Sequence, residues 1–231
     1  ILMYMFFKYN KIYSKEQFNT QFNTQLNTQF NIDKIYVINL DKDIQRLSIF
    51  KNMCDTNNLS FERFPAINGN TLDNNNYYFK KYISPYNKLS KGQIGCALSH
   101  INIWDKVANS PNETVFIFED DVIIPNDFVN KLNIYTKELP NDWEMILLGG
   151  NTLIGQKYSE HFLHVNRKIK KNGNYGLFGY IIKKQTANKL LNTCKRLNKT
   201  IDHYLNKKFY LKNKVFFCNP MLVKHNYNFY S

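Results

Sequence analysis

The chain has 231 residues, of which 43% are hydrophobic and 16% aromatic, which is enough to bury one substantial core and excludes an intrinsically disordered chain. Its formal net charge of +13 predicts attraction to anions, whether nucleic acid, an acidic membrane surface or a phosphorylated small molecule. The four cysteines form no CxxC motif and are expected to be reduced, buried thiols rather than a zinc site or a disulfide framework. No apolar run approaches the ~20 residues of a membrane-spanning helix.

The N-terminal segment carries a four-residue repeat, FNTQFNTQLNTQF, over residues 18–30. A helix would place its apolar residues on one drifting stripe: Phe18, Phe22, Leu26 and Phe30. Asn and Thr are poor helix formers, however. Two interpretations therefore stay open, a low-complexity linker and a docking helix through which the chain forms a homo-oligomer. We predict an extension over residues 1–30 and a single domain over residues 31–231.

The predicted domain opens with a strand followed by a helix. KIYVINL, residues 34–40, is a continuous apolar run that is typical of a buried strand. Asp43 is placed to cap the helix that follows. Apolar side chains then recur at the helical period: Ile44, Leu47, Phe50 and Met53 or Cys54. The two elements together form a βα unit.

The clearest helix lies within LSKGQIGCALSHINIWDKVANSP. Ser90 and Gln93 form a capping-box pattern at its start, and Pro111 ends it. Apolar residues cover most of its circumference, so we expect this helix to be deeply buried.

Strands and helices alternate through the rest of the chain. Strands are predicted at residues 115–119, 143–149 and 175–182 and in KVFFCNP, and helices at about 126–138, 185–197 and 201–209. This alternation predicts an α/β fold with a mostly parallel central sheet flanked by helices. In such sheets, ligands bind at the carboxyl ends of the strands.

Three carboxylates interrupt an apolar run in VFIFEDDVII, residues 115–124. They would lie at the carboxyl end of a buried strand, where burial without a countercharge costs several kcal/mol per ion. A hard divalent metal that bridges the carboxylates to substrate phosphates would offset this cost. Strand alternation predicts that Glu119 and Asp121 share one side and Asp120 the other, with Asp121 as the first metal ligand. The alternative is that the acids cap the next helix or pair with surface Lys.

Eight blocks occur in one order along the chain: INLDKDIQR, FERFPAING, KGQIGCALSHINIW, FIFEDDV, WEMILLGG, GLFGYII, IDHYL and NPMLVKHNY. Over residues 34–227 the chain resembles glycosyltransferase family 25, which includes lipopolysaccharide and collagen hydroxylysine galactosyltransferases. The resemblance implies a GT-A type, Rossmann-like fold and a nucleotide-sugar donor, usually a UDP-hexose. It also implies a divalent metal, commonly Mn²⁺ with Mg²⁺ as the alternative, and inversion at the anomeric carbon.

The same resemblance assigns site residues. The EDD block corresponds to the DxD motif of the family, so its three acids, Glu119, Asp120 and Asp121, are expected to hold the metal and the donor. The other donor-pocket residues are expected to be Asn39, Arg46 and Asn68, with Gly179 allowing close backbone approach. Asn68 stands where an Asp is more usual. His225 is expected to complete the metal shell with Asp121 and Glu119, and a surface histidine is the alternative.

Inverting transfer needs a base that takes the acceptor proton. Asp202 is the only acid after residue 160 and matches the acidic position of the family's IDxxL-like block. We predict Asp202 as this base and Asp121 as the second catalytic residue. A helix N-cap with a salt bridge to neighbouring lysines is the alternative for Asp202. Three other acids are alternative bases: Glu119, Asp142 and Glu144.

Three aromatic residues within these blocks have expected positions of their own. His100 can be a core histidine that orients the EDD loop, or a contact to the donor. Trp104 is expected in the core rather than as a platform for a sugar. Tyr180 is expected to face the acceptor.

The predicted reaction moves galactose or glucose from a UDP-sugar to a hydroxyl acceptor, which is either a glycan or hydroxylysine. No DNA- or RNA-recognition motif is present, so no nucleic-acid partner is expected. Two alternatives remain, a catalytically degenerate UDP-binding scaffold and a basic nucleic-acid-binding protein. The expected location is cytoplasmic or membrane-peripheral, and a secretory compartment stays open.

Overall fold

The computed structural model describes residues 32–73, 75–165 and 173–230. The predicted extension over residues 1–30, its repeat and the interpretations of that repeat lie outside the described residues. Across these ranges no helix combines the length and the apolar character that spanning a bilayer requires.

The core of the fold is an eight-stranded sheet. The strands in chain order are β1 (Lys34–Asn39), β2 (Glu62–Pro65), β3 (Thr114–Glu119), β4 (Val122–Ile123), β5 (Met145–Leu147), β6 (Gln156–Lys157), β7 (Phe162–His164), β8 (Gly179–Lys183), β9 (Val215–Cys218) and β10 (Lys224–His225). The order across the large sheet is β2-β1-β3-β8-β5-β9-β7-β6, and β4 and β10 pair separately. Six of its eight strands point the same way, and β7 and β8 run against them.

Helices cover both faces of the sheet. They are α1 (Ile44–Thr56), α2 (Tyr77–Tyr82), α3 (Lys91–Ala108), α4 (Phe128–Tyr135), α5 (Lys184–Thr193) and α6 (Ile201–Lys208). The strand residues alternate between two apolar clusters: Val115 and Ile117 pack with α3, α5 and α6, whereas Phe116 and Phe118 pack with α1 and α4. The predicted α/β architecture, a mostly parallel sheet flanked by helices, is confirmed.

Local sequence signals explain the buried helix α3. The Ser90 hydroxyl accepts from the Gln93 N–H at 3.2 Å, and the Gln93 side chain accepts from the Ser90 N–H at 2.9 Å, which is the predicted capping box. Trp104 is fully buried in the core, as expected. Helix α1 begins after Asp43 as predicted, but Ile44 is 72% exposed and does not join the apolar face.

Six elements were not expected from the sequence: β2, β4, β6, β7, β10 and α2. The direction of β8 was also not foreseen, since it lies antiparallel between β3 and β5. A strand that is covered on both faces has the same apolar composition in either direction, so its sequence carries no signal of its orientation.

Candidate functional site

A cavity of about 330 Å³ opens at the carboxyl edge of β1, β2 and β3. Its lining includes Glu119, Asp120 and Asp121 from the end of β3, together with Arg46 from α1 and Asn68 from the loop after β2. The three acids that follow the apolar segment VFIF therefore lie at the edge of the sheet where ligands bind in α/β proteins. Asn39, at the end of β1, is buried beside them.

Asp120 is held by the two predicted donor-pocket residues nearest to it. The Asn39 amide donates to Asp120 Oδ2 at 2.6 Å, and Arg46 Nη1 lies 3.4 Å from Asp120 Oδ1. Arg63 donates to the Asn39 carbonyl oxygen Oδ1 at 2.7 Å, which fixes the direction of the amide. Burial raises the pKa of the Asp120 carboxyl, although the Asn39 hydrogen bond and the Arg46 charge oppose this effect.

Asp121 lies between Arg46 and His225. Arg46 Nη1 is 3.5 Å and His225 Nε2 is 3.4 Å from Asp121 Oδ2, and the Asp121 side chain is 5% exposed. The antiparallel pairing of β4 with β10 produces this contact by setting His225 opposite Val122. The Asn226 N–H also donates to the Asp121 carbonyl at 2.7 Å. Buried acids need a cation beside them, and Arg46 is one that the chain itself supplies.

Glu119 faces a different set of partners. Its Oε1 lies 2.9 Å from His100 Nε2 and 4.0 Å from Cys96 Sγ. The expectation that Glu119 and Asp121 share one side is therefore wrong. The strand ends at Glu119 and residues 120–121 form a turn, so side-chain alternation stops there and Asp120 and Asp121 both face Arg46.

The structure also divides the predicted metal ligands. The groups of three donor residues whose atoms lie within 4.8 Å of one another, among the described residues, are Cys96–His100–Glu119 and Glu138–Glu160–His161. The predicted set of Asp121, Glu119 and His225 is not one of these groups, because the turn separates the first two side chains. Asp121 and His225 do lie together.

His100 is a buried residue that orients Glu119. Its Nδ1 lies 2.9 Å from the Tyr180 hydroxyl, which also accepts from Trp104 Nε1 at 2.8 Å. These hydrogen bonds form a series from the core to the Glu119 carboxylate at the cavity. This agrees with the interpretation of His100 as a core histidine that orients the EDD loop. Tyr180 is fully buried among these hydrogen-bonded residues, so the expectation that it faces the acceptor is wrong.

Gly179 does not line the cavity. A Cβ at this position would lie 2.8 Å from Val223 Cγ2 and 3.3 Å from Phe118 Cδ1, so packing at the start of β8 explains the glycine. The donor-pocket prediction for Gly179 is corrected accordingly. Gly176 differs, since its φ of +89° lies in the left-handed region and its N–H donates to Asp202 Oδ2 at 3.0 Å.

Asp202 lies in the first turn of α6, and Thr200 rather than Asp202 is the N-cap residue. Burial raises the pKa of Asp202, but hydrogen bonds from Thr200, Gly176 and His203 outweigh it and hold this pKa below its usual value. The charge of Asp202 also acts on the Cys96 thiol, so Asp202 lies near the cavity although it does not line it.

The other two acids proposed as bases lie elsewhere. Asp142 and Glu144 precede β5, at its amino end, which is the edge of the sheet opposite the cavity. Asp142 pairs with Lys214, and Glu144 pairs with Lys189. Neither acid lines the cavity, so neither remains a candidate base.

Arg63 and Cys96 were not predicted as site residues. Arg63 belongs to the FERFPAING block, and its contact with Asn39 depends on the parallel pairing of β1 with β2. Cys96 was expected to be a buried thiol, but it is exposed and lines the cavity. Its position one helical turn before His100 was the signal that would have placed both residues on one face.

The fold and this site define an α/β protein with an acidic, ligand-sized cavity at the carboxyl edge of a mostly parallel sheet. Residues 32–205 match the sequence profile of glycosyltransferase family 25, described as an LPS biosynthesis protein family. The chain belongs to glycosyltransferase family 25.

Curated relatives cover most of the same region. Proteins named glycosyltransferase 25 family member are 27% identical over 202 residues in Anopheles gambiae (83% of this chain, 34% of that protein) and 30% identical over 171 residues in Aedes aegypti (69% and 28%). Procollagen galactosyltransferase 2 of Homo sapiens is 27% identical over 172 residues (69% and 27%). The chain thus spans about a third or less of the length of these relatives.

Proposed function

We propose that this chain is a metal-dependent, inverting glycosyltransferase that moves a hexose from a UDP-sugar to a hydroxyl acceptor. The observation that carries the proposal is the acidic end of β3, where three carboxylates line a cavity beside Arg46 and Asn68. Family membership supports the reaction class, and the acidic cavity supports the proposal that a nucleotide diphosphate and its ion bind there.

The side chains fit a hard divalent ion, Mn²⁺ or Mg²⁺, at Asp121 and His225. Two donor atoms that each lie about 2.1 Å from one ion, at right angles, are about 3 Å apart. Asp121 Oδ2 and His225 Nε2 are 3.4 Å apart, and both side chains are largely buried. Such an ion would supply charge neutralisation for the departing diphosphate.

Donor binding is assigned to the residues around Asp120. Asn39 and Arg46 hold the Asp120 carboxylate, which leaves it oriented for hydrogen bonds to the ribose of the donor. The Arg46 guanidinium lines the cavity, where it can pair with phosphate oxygens. Asn68 lines the same cavity with an uncharged amide and therefore contributes hydrogen bonds rather than charge.

Asp202 is proposed as the base for the acceptor hydroxyl. Its lowered pKa keeps the carboxylate ionised at neutral pH, which a proton acceptor requires, but also makes it a weak base. Its charge also acts on the Cys96 thiol, which lines the cavity, so the acceptor hydroxyl would bind near Cys96.

The name of the human relative suggests which substrates to test first. Because that protein is a procollagen galactosyltransferase, UDP-galactose is the first donor and a hydroxylysine peptide the first acceptor. UDP-glucose and glycan acceptors follow. A cytoplasmic or membrane-peripheral location stays a prediction.

The test is thermal unfolding of the chain with UDP, in Mn²⁺ or in EDTA, followed by assays of UDP-galactose hydrolysis and transfer. We expect UDP to raise the unfolding temperature only with Mn²⁺, and Asp121→Asn to abolish this rise. Asp127→Asn is the matched control, since Asp127 forms an exposed pair with Lys131. No UDP-dependent rise in the wild type would refute the proposal.

Two other results separate the alternatives. Mn²⁺-dependent UDP binding without turnover on any donor would identify a degenerate scaffold. Oligonucleotide binding that weakens steeply with salt, combined with no response to UDP, would identify a basic nucleic-acid-binding protein.

A further inference from the structure

A second cluster of metal-binding side chains lies in the cavity, apart from Asp121 and His225. The donor atoms of Cys96, His100 and Glu119 all lie within 4.8 Å of one another. Cys96 and His100 are one turn apart on α3 and therefore share a face of the helix. Glu119 reaches them from the end of β3.

The distances suit a tetrahedral ion. Zinc binds thiolate sulfur at about 2.3 Å and imidazole nitrogen at about 2.0 Å, so neighbouring donor atoms lie about 3.5 Å apart. His100 Nε2 and Cys96 Sγ are 2.9 Å and 4.0 Å from Glu119 Oε1. Side-chain shifts of about 0.5 Å would bring both of these pairs to this spacing.

The imidazole of this cluster is already held in place. His100 is 1% exposed, and its Nδ1 lies 2.9 Å from the Tyr180 hydroxyl. Trp104 Nε1 fixes that hydroxyl in turn at 2.8 Å. A histidine that binds a metal through one ring nitrogen donates the N–H of the other to a neighbouring acceptor. This second hydrogen bond sets the orientation of the ring.

The electrostatic field also favours a cation at Cys96. The Glu119 carboxylate oxygen Oε1 lies 4.0 Å from the Cys96 sulfur, and its negative charge attracts a divalent cation to this point. The thiol is exposed to the cavity, so an ion can reach it from solvent.

We propose that Cys96, His100 and Glu119 form a second divalent-cation site, which takes a thiophilic ion such as Zn²⁺ and leaves its fourth position open to the cavity. When the ion binds, the Cys96 thiol gives its proton to solvent as the sulfur–metal bond forms. The proton on His100 Nε2 is lost to solvent while Nδ1 takes one up and donates it to the Tyr180 hydroxyl oxygen, so that Nε2 and the Glu119 carboxylate bind the ion in place of their mutual hydrogen bond. A hard ion such as Mn²⁺ is held instead by Asp121 and His225.

This site has a consequence for the proposed reaction. An ion at Cys96 occupies part of the cavity and removes Glu119 from its present position. Zn²⁺ should therefore compete with the nucleotide-sugar donor, a statement that rests on the proposed function. The binding of the ion does not rest on it.

Co²⁺ is the probe for the test, because a cobalt–thiolate bond gives a near-ultraviolet charge-transfer band. Titration of the EDTA-treated and dialysed protein should show this band with one equivalent bound, and Zn²⁺ should displace it. Cys96→Ser should abolish the band, and Glu119→Gln should weaken Co²⁺ binding by at least about 10-fold. Circular dichroism and thermal melts confirm that each variant is folded.

Two variants control for other sites. Asp121→Asn should keep the band, since Asp121 belongs to the other cation site. Cys218→Ala should also keep it, because Cys218 is buried and lies in neither donor group of the described residues. A wild type without the band, or a band that survives in Cys96→Ser, would overturn the proposal.

The outcome is separable from that of the proposed function. A cobalt band at Cys96 in a protein that ignores UDP would sustain the cation site and refute the glycosyltransferase. Mn²⁺-dependent UDP binding in a protein without the cobalt band would refute the cation site and leave the glycosyltransferase proposal standing.

Discussion

His225 Nε2 lies 3.4 Å from Asp121 Oδ2, although the two residues are far apart in the chain. The contact exists because β10 pairs with β4 directly after the acidic turn. A histidine in the last described strand thereby reaches the acid that was predicted as the first metal ligand.

His225→Gln should weaken Mn²⁺ binding by about 10- to 100-fold, since it removes a nitrogen ligand and keeps the size of the side chain. The measurement is Mn²⁺ titration of the protein in the presence of UDP, followed by thermal shift. His164→Gln is the control, because His164 is a partly buried histidine that does not line the cavity. Equal Mn²⁺ affinity in His225→Gln and the wild type would exclude His225 as a ligand.

Asp202→Asn should lower stability in a pH-dependent way. The pKa of Asp202 is lowered in the folded state, so its charge stabilises the fold above the usual carboxyl pKa near 3.8, and this stabilisation disappears as pH falls through the folded-state value. Loss of the charged hydrogen bonds should cost about 1–3 kcal/mol at pH 7.

The measurement is urea unfolding of wild type and Asp202→Asn between pH 7 and pH 3. The difference in unfolding free energy should be constant near neutrality and shrink at the acid end. Asp127→Asn, at an exposed ion pair, should change stability by less than about 0.5 kcal/mol throughout. A difference that grows toward acid pH would contradict a lowered pKa of Asp202 in the folded state.

Tyr180→Phe should destabilise the fold by about 2 kcal/mol or more. The substitution leaves the buried Trp104 N–H and His100 Nδ1 without the hydroxyl that both now contact. Tyr210→Phe is a closely matched control, because Tyr210 is equally buried and its hydroxyl makes no hydrogen bond with any described residue. Urea unfolding should separate the two, and equal losses would show that the Tyr180 bonds contribute nothing.

Gly179→Ala should cost about 1–3 kcal/mol, because its Cβ would be forced against Val223 and Phe118. Gly92→Ala is the control for stability alone, because Gly92 lines the cavity. The nearest atom to a Cβ there is Ser90 Oγ at 4.0 Å, and alanine favours a helix. Thermal melts should show lost stability for Gly179→Ala, and UDP titrations should show unchanged UDP affinity. Weakened UDP binding with unchanged stability would restore Gly179 to the donor pocket.

Local patterns were sufficient for the elements near the site. The apolar run before Glu119, the capping box at Ser90 and the strand before Asn39 depend on neighbours within a few residues, and all three were predicted. The order of the eight blocks identified the family before any contact was known. These features lie in the sequence because hydrophobic periodicity and helix capping are local properties of a chain.

The directions of the acidic side chains were not predictable in the same way. Alternation along an extended strand holds only while the strand lasts, and the turn after Glu119 sends Asp121 toward Arg46. The hydrogen bond between His100 and Tyr180 likewise joins α3 to β8 across the core.

The amino-acid sequence by itself determined that three carboxylates end a buried strand of an α/β domain and that this domain resembles glycosyltransferase family 25. Only the tertiary structure decided the partner of each acid: His100 for Glu119, Asn39 for Asp120 and His225 for Asp121. The physical reason is that strand pairing and helix packing join residues that are distant in the chain, and no local propensity encodes their register.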